Sequence, residues 1–274
     1  MIEYIEKKYI QKNSVEKRDY QVNLANQAMN ENCVVVLPTG LGKTTIALHV
    51  IAEYLSKDSN GILFLAPTRV LINQHFNFLK QNLTIDDITL ITGEYPVEKR
   101  TELWNSRIIC ATPEVARNDL NAKIITSQQF SLVIFDEAHR TTGDYAYSSI
   151  AEHFEDTDTR LLGMTATLPS EQEKATEILT RLKISSVAER TENSPDVKPY
   201  IQETETEWIN VELPPELKSI QKFLKLSLDE RYDTLRKNGL NLNNQQSLSA
   251  LLRLRPFVLA KSRKSAKPLF SGIR

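Results

Sequence analysis

One stretch, CVVVLPTGLGKTT at residues 33–45, limits this chain more than any other. Cys33, Val34, Val35 and Val36 form an apolar run without polar alternation, the pattern of a strand buried on both faces. The run breaks at Pro38, Gly40 and Gly42 and passes into a helical pattern at Lys43-Thr44-Thr45. A strand, a glycine turn and a helix opening on Lys-Thr make a phosphate cradle. The glycines let backbone N–H groups converge on an anion, and the helix N-terminus adds partial positive charge. At that spacing Lys43 reaches the β- and γ-phosphates and the Thr44 hydroxyl ligates Mg²⁺. The first glycine of G-x-x-x-x-G-K-[ST] is replaced by Leu37. A purely structural glycine turn has no need of lysine followed by threonine, so a nucleotide site is the preferred reading.

Beyond this loop, strand-like and helix-like segments alternate. Apolar runs at 61–67, 88–93, 107–113, 131–139 and 160–167 read as strands, six in all with 33–36. Between them lie helical patterns, among them one from about Pro96 to Leu103, one after Pro113, and SEQEKATEILTRL (170–182) with Ser170 and Glu173 at capping-box spacing. Such alternation predicts a mostly parallel sheet covered on both faces, with ligands beyond the C-terminal ends of the strands. Residues 191–213 change character: 191–207 read as a polar, proline-punctuated linker or extended excursion, and WINVELP (208–214) as a strand. A long amphipathic helix follows over 214–239, then a loop at NLNNQQ and a further helix interrupted near Pro256. The expected partition is an α/β nucleotide-binding domain at 1–190, a linker at 191–213 and a partial helical domain at 214–274.

FDEAHR (135–140) is the second decisive cluster. An acid directly after an apolar strand beside a phosphate cradle is placed to hold Mg²⁺, a role for Asp136, while Glu137 orients or deprotonates the attacking water. Alone, Asp-Glu reads as a surface turn; with the glycine loop upstream, chemistry is preferred. His49, His75 and His153 show no constellation and read as ordinary, and zinc-ligand spacing is lacking around His139. Cys33 and Cys110 lie in apolar runs outside any C-x-x-C pair and read as reduced core thiols. No stretch approaches 18 uninterrupted apolar residues and the N-terminus lacks an apolar h-region, so the expectation is a soluble, cytoplasmic chain without membrane partners. Nine of the 34 basic residues follow Asp233 and no acid does, leaving residues 1–233 at a net charge of about −10. That basic tail reads either as a polyanion-binding segment or as a solvated face.

In order and spacing, LPTGLGKT, APTRVL, ITGE, ATPE, FDEAHR and MTAT resemble motifs I, Ia, a GG-type element, Ib, II and III of superfamily 2 helicases. DEAHRTTGDYAY (136–147) is similar to the DEAH-box segment of archaeal Hef and Fanconi-anaemia M-type fork-remodelling helicases, and EWINVELPPELKSIQKFL to the passage into their helical insert. The resemblance implies a RecA-like P-loop NTPase domain using ATP and Mg²⁺. It places Gln21, with Arg18 in the same RDYQ element, at the adenine. Pro38, Thr39, Gly40, Leu41, Gly42, Lys43, Thr44 and Thr45 fall on the triphosphate, and Thr44 and Asp136 on Mg²⁺. Lys43, Asp136, Glu137 and His139 carry catalysis, and His139 with Thr165, Ala166 and Thr167 couples nucleotide state to the nucleic-acid groove. Pro67, Thr68, Arg69, Gly93, Thr112 and Pro113 touch the backbone of one nucleic-acid strand without reading sequence, although such residues also punctuate strand ends as plain turns.

The same resemblance implies a partner of branched or single-stranded DNA, sliding-clamp or repair partners for a full-length protein, and nucleoid association in a prokaryote. Superfamily 2 motors take arginine fingers from a second RecA-like domain, and no Q-x-x-G-R-x-x-R motif follows Thr167. Such fingers are worth roughly 10³–10⁵ in rate, so this chain alone is expected to bind Mg-ATP, hydrolyse it poorly and unwind nothing. Three rivals stand beside this reading. A double-stranded-RNA-dependent ATPase would show Cys where Ala138 stands; a small-molecule kinase would leave the later motifs unexplained; a non-catalytic nucleic-acid-binding fragment would rely on the basic tail.

Overall fold

The computed structural model describes residues 3–57, 59–142, 145–201, 207–209 and 211–237. The chain divides into two compact units, residues 1–203 and 204–274. In the first, helix α1 (Asp19–Asn30) leads into β1 (Cys33–Val36), and α2 (Lys43–Lys57) follows the glycine turn. Next come β2 (Gly61–Leu65), α3 (Arg69–Asn82), β3 (Ile88–Ile91), α4 (Val97–Leu103), β4 (Ile108–Ala111) and α5 (Pro113–Asn121). The unit continues through β5 (Phe130–Asp136), α6 (Ala146–Glu152), β6 (Arg160–Thr165), α7 (Gln172–Arg181) and β7 (Ser186–Glu189). These seven strands run parallel in the order β3-β4-β2-β5-β6-β1-β7.

Alternate strand residues divide between two cores, which is why the strands read as unbroken apolar runs. Cys33 and Val35, Ile62 and Phe64, and Leu132 and Ile134 pack with Leu24, Ile46, Val50 and Ile72 from α1, α2 and α3. Val34 and Val36, Leu63 and Leu65, and Val133 and Phe135 pack with Val115, Ile150 and Ile178 from α5, α6 and α7 on the opposite face. Both cysteines are buried free thiols; burial pushes the Cys33 thiol up to about 11 and raises that of Cys110 as well.

Four local expectations are corrected. The sheet has a seventh strand, β7, beside β1 at the edge; only Ala188 in it is buried, so SVAE shows no apolar run. Helix α6 was not anticipated at all. Helix α7 starts at Gln172 after Glu171, and the Ser170–Glu173 pair does not cap it. No strand forms at the described residues of 208–214, where Trp208, Ile209, Val211 and Leu213 are exposed and no sheet edge pairs with them. The second unit contributes α8 (Pro215–Lys237), with Leu217, Ile220, Leu224 and Leu228 exposed along it. The expected final helix, most of the basic tail, and Gly143 lie outside the described residues. Among the described residues, no helix is long and apolar enough to cross a membrane.

A histidine within the core makes the fold sensitive to acid. His49 on α2 is only 4% exposed, and its Nε2 lacks a partner among the described residues. Burial, helped by the nearby Lys7 ammonium, lowers its pKa from 6.5 to about 4. The folded chain therefore keeps His49 neutral where the unfolded chain protonates it. Its contribution is complete above about pH 6.5 and is lost as pH falls towards 4, a total of about 3 kcal/mol. Denaturant midpoints measured across that window are expected to fall for the native sequence, and the His49→Gln variant to show a shallower pH slope.

Candidate nucleotide and strand-contact site

The turn after β1 gains its shape from α1. Gly40 and Gly42 have φ of 85° and 83°, the left-handed region that side chains disfavour. At Gly42 a Cβ would lie 2.3 Å from Gln21 Nε2, so a side chain there would push the Gln21 amide out of place. The Gln21 amide donates to the Leu41 carbonyl at 3.0 Å, and the Tyr20 hydroxyl donates to the same oxygen at 2.7 Å. Among the described residues, nothing accepts from the backbone N–H groups of Gly40, Gly42, Lys43 and Thr44, which sit at the mouth of α2. Unsatisfied amides at a helix N-terminus suit an anion. Leu37, where a first glycine was expected, is fully buried, accepts the Lys43 ammonium at 2.9 Å and donates its own N–H to Thr165 O at 3.0 Å.

Beside the loop lies a cleft of about 420 Å³ bounded by Glu16, Arg18, Gln21, Gly42, Thr45 and Phe78, among others. Gln21 is 3% exposed and its Oε1 has no partner among the described residues. A buried acceptor without a donor is costly, and the exocyclic amine of adenine is a donor of the needed kind. Arg18 is held at the rim by Glu16 at 3.2 Å, with its guanidinium 5.3 Å from the centre of the Tyr200 ring.

Two strands away from β1, β5 ends on Asp136, which is 6% exposed. The Tyr147 hydroxyl from α6 donates to its carbonyl at 2.7 Å, and His75 Nε2 from α3 lies 2.7 Å from its Oδ2. Neither partner was anticipated from the sequence, in which His75 reads as ordinary; the structure places its ring against Asp136. Glu137 turns out of the strand with φ 52° and ψ 47°, a conformation costing a non-glycine residue about 1–2 kcal/mol. His139 Nδ1 lies 2.9 Å from Thr165 Oγ1 and 3.3 Å from Glu137 Oε2. Because the Thr165 hydroxyl proton goes to Thr167 O at 2.8 Å, Nδ1 is the donor in the contact with Thr165. Desolvation lowers the Lys43 pKa, opposed by Glu137 and then Asp136. Lysine and both carboxylates therefore share one electrostatic neighbourhood.

The loop amides, Lys43, the Thr44 hydroxyl and the Asp136 carboxylate fit a magnesium-bound polyphosphate. No group of three or more metal-binding side chains occurs among the described residues. Mg²⁺ takes one or two protein oxygens and the rest from phosphate and water, and Thr44 and Asp136 would supply such a pair.

The expected strand contacts fall on the turns after β2, β4 and β3, three adjacent strands on the far side of β5 from β1. Thr68 caps α3, accepting from Leu71 N at 3.2 Å, and Arg69 pairs with Glu94 beside Gly93. Thr112 precedes Pro113 at the first turn of α5. Arg100 and Trp104 of α4 converge on buried Asp119 of α5, fixing the two helices behind this row.

Comparison with known proteins follows the same outline. A family profile described as DEAD/DEAH box helicase matches residues 18–175. A Methanocaldococcus jannaschii protein, MJ1505, provisionally named an ATP-dependent RNA helicase, is 43% identical over 239 residues, covering 86% of this chain and 31% of that one. The ATP-dependent DNA helicase MPH1 of Coccidioides immitis is 34% identical over 260 residues, covering 92% and 23%. The fml1 DNA helicase of Schizosaccharomyces pombe is 32% identical over 244 residues, covering 86% and 29%. In structure, the Pyrococcus furiosus Hef helicase domain superposes with a TM-score of 0.72 and 34% identity, over 91% of this chain and 55% of that one. The chain thus spans less than a third of the length of these curated relatives, and its sheet is the RecA-like helicase fold.

With a nucleotide in this cleft, the unpaired Gln21 Oε1 would set base preference. ATP is expected to bind more tightly than GTP, whose carbonyl would face that oxygen. Gln21→Ala should weaken ATP binding about tenfold, the worth of one hydrogen bond to a buried acceptor, and leave GTP binding unchanged. Tyr20 keeps the Leu41 carbonyl satisfied in the variant. Equilibrium titration with fluorescent ATP and GTP analogues measures both.

Proposed function

From the chain's membership of the DEAD/DEAH box helicase family, we propose that it is the ATP-binding motor domain of a translocase acting on branched or forked DNA. The observation that carries the nucleotide half is the half-buried Lys43 ammonium. It rests on a lone carbonyl within the field of Glu137 and Asp136, beneath backbone amides without acceptors. A polyphosphate would give that charge the partner that burial withholds. The naming of MPH1 and fml1 as ATP-dependent DNA helicases supports the DNA half.

In this reading the loop from Pro38 to Gly42 wraps the phosphates, Lys43 pairs with their β- and γ-oxygens, and Gln21 with Arg18 holds the adenine. Thr44 and Asp136 hold Mg²⁺, whose presence neutralises phosphate charge. Glu137, turned out of its strand, orients the attacking water and accepts its proton. His139, donating to Thr165, ties that carboxylate's neighbourhood to the turn at Thr165–Thr167. Pro67, Thr68, Arg69, Gly93, Thr112 and Pro113 cradle one backbone strand on the other half of the rim, supported by their alignment on three adjacent strands. Arg69 reaches a phosphate by exchanging its exposed pairing with Glu94. Partner proteins such as clamps or repair factors, and any nucleoid association, belong to a longer protein in the same proposal.

The test uses this chain with Mg-ATP and forked DNA, single-stranded DNA or duplex RNA. Expected are saturable binding of a fluorescent ATP analogue, abolished by Lys43→Ala, and slow steady-state turnover, since residues 168–274 lack an arginine-finger motif. Robust DNA-stimulated turnover that disappears in Lys43→Ala would show that no second motor domain is needed. Stimulation by duplex RNA but not by forked DNA would favour the nucleic acid named for the Methanocaldococcus relative.

A further inference from the structure

The helix that carries the expected strand-contact turn also carries, among the described residues, the side chain hydrogen-bonded to the Asp136 carboxylate. Helix α3 opens at Thr68–Arg69, and His75 lies six residues further along, roughly 9 Å up the axis at 1.5 Å per residue. Its Nε2 is 2.7 Å from Asp136 Oδ2, with the two side chains 11% and 8% exposed. The ring is fixed from behind: Phe64 of β2 meets it at 4.6 Å between centroids, with 34° between planes. Ile72 and Leu79, one helical turn to either side, are fully buried and anchor that face of α3 in the core. A carboxylate accepts and does not donate, so Nε2 carries the proton of this bond. Among the described residues Asp136 Oδ1 has no hydrogen-bond partner, so it is the oxygen left to face a ligand.

We propose that His75 is a positioning residue for Asp136: its Nε2–H, held by the stack on Phe64, fixes the carboxylate plane and turns Oδ1 towards magnesium-bound phosphate. The inference rests on the nucleotide reading above. Ligating groups held by an outer partner bind metal more tightly, and loss of that partner typically costs 10–100-fold. A carboxylate at the end of a strand has two free side-chain torsions, and the glycine loop is two strands distant in the sheet. The hydrogen bond from α3 is therefore the side-chain restraint that selects one orientation. It also makes that orientation depend on a helix whose first residues are the expected seat of nucleic acid.

Two substitutions separate the bond from the packing. His75→Phe keeps a ring against Phe64 and removes the donor; His75→Gln keeps an N–H donor and removes the ring. The measurement is the Mg²⁺ concentration giving half-maximal binding of a fluorescent ATP analogue, alongside analogue binding in EDTA and the thermal midpoint. His75→Phe is expected to raise the Mg²⁺ requirement about tenfold with EDTA binding and thermal midpoint near those of the native chain, and His75→Gln to stay within about threefold. An unchanged Mg²⁺ requirement in His75→Phe, or a rise in His75→Gln alone, would overturn the assignment and leave His75 a packing residue. Failure of the native chain to bind the analogue in either condition would instead sink the nucleotide reading, and the inference with it.

Discussion

A side chain at Gly42 would displace the Gln21 amide, and the rest of the site depends on its absence. Its backbone takes a conformation that only glycine adopts cheaply, and the Gln21 amide fills the space where a Cβ would stand. Helix α1 can therefore lie against the mouth of α2, and Tyr20 and Gln21 both reach the Leu41 carbonyl. The loop is clamped from outside by a helix that precedes it in the chain. Those two bonds fix the Leu41 side of the loop, so part of the cradle's shape is set by the chain itself.

The charged groups around the cradle are arranged so that none is satisfied by another outright. Lys43 leans on the Leu37 carbonyl instead of a carboxylate, and desolvation lowers its pKa despite Glu137 and Asp136 nearby. Had it paired directly with Asp136, the ion pair would compete with phosphate and with metal. Asp136 is instead occupied on one oxygen by His75, and Glu137 is swung away by its left-handed backbone. Lys43 is attracted by two carboxylates that repel each other, and among the described residues no direct ion pair joins it to either. The strain at Glu137 is sustained because the strand before it is fully buried and Tyr147 pins the Asp136 carbonyl.

Much of this was legible in the sequence because both faces of the sheet are covered. Strands such as Phe130–Asp136 are buried at every position, and the residues that follow them break sharply into glycine, proline, threonine or acid. The parallel sheet and the alignment of polar turns along one rim follow from that contrast. What stayed hidden lacks it. Strand β7 buries Ala188 alone, and α6 is a seven-residue helix with no side-chain cap hydrogen bond. WINVELP carries strand-like residues, yet its described residues form no strand, since β-propensity describes a surface that packing must supply. Ser170 and Glu173 have the spacing of a capping box, yet the chain begins its helix later. His75 was invisible for a different reason: its partner is 61 residues away in sequence, and no local pattern marks a histidine that serves a distant carboxylate.

The strand order has a mechanical corollary. From β3 to β1 the rim spans five inter-strand steps, roughly 24 Å at about 4.8 Å each, with the polyphosphate turn near one end and the proposed strand-contact turns at the other. Between them the sheet is close-packed above and below, and such interiors are stiff. The strands therefore act as a chassis that neither bends nor slides when either end is loaded. Whatever one end tells the other has to travel through the parts mounted on it: the exposed turns, and helices such as α3 whose two halves touch different stations.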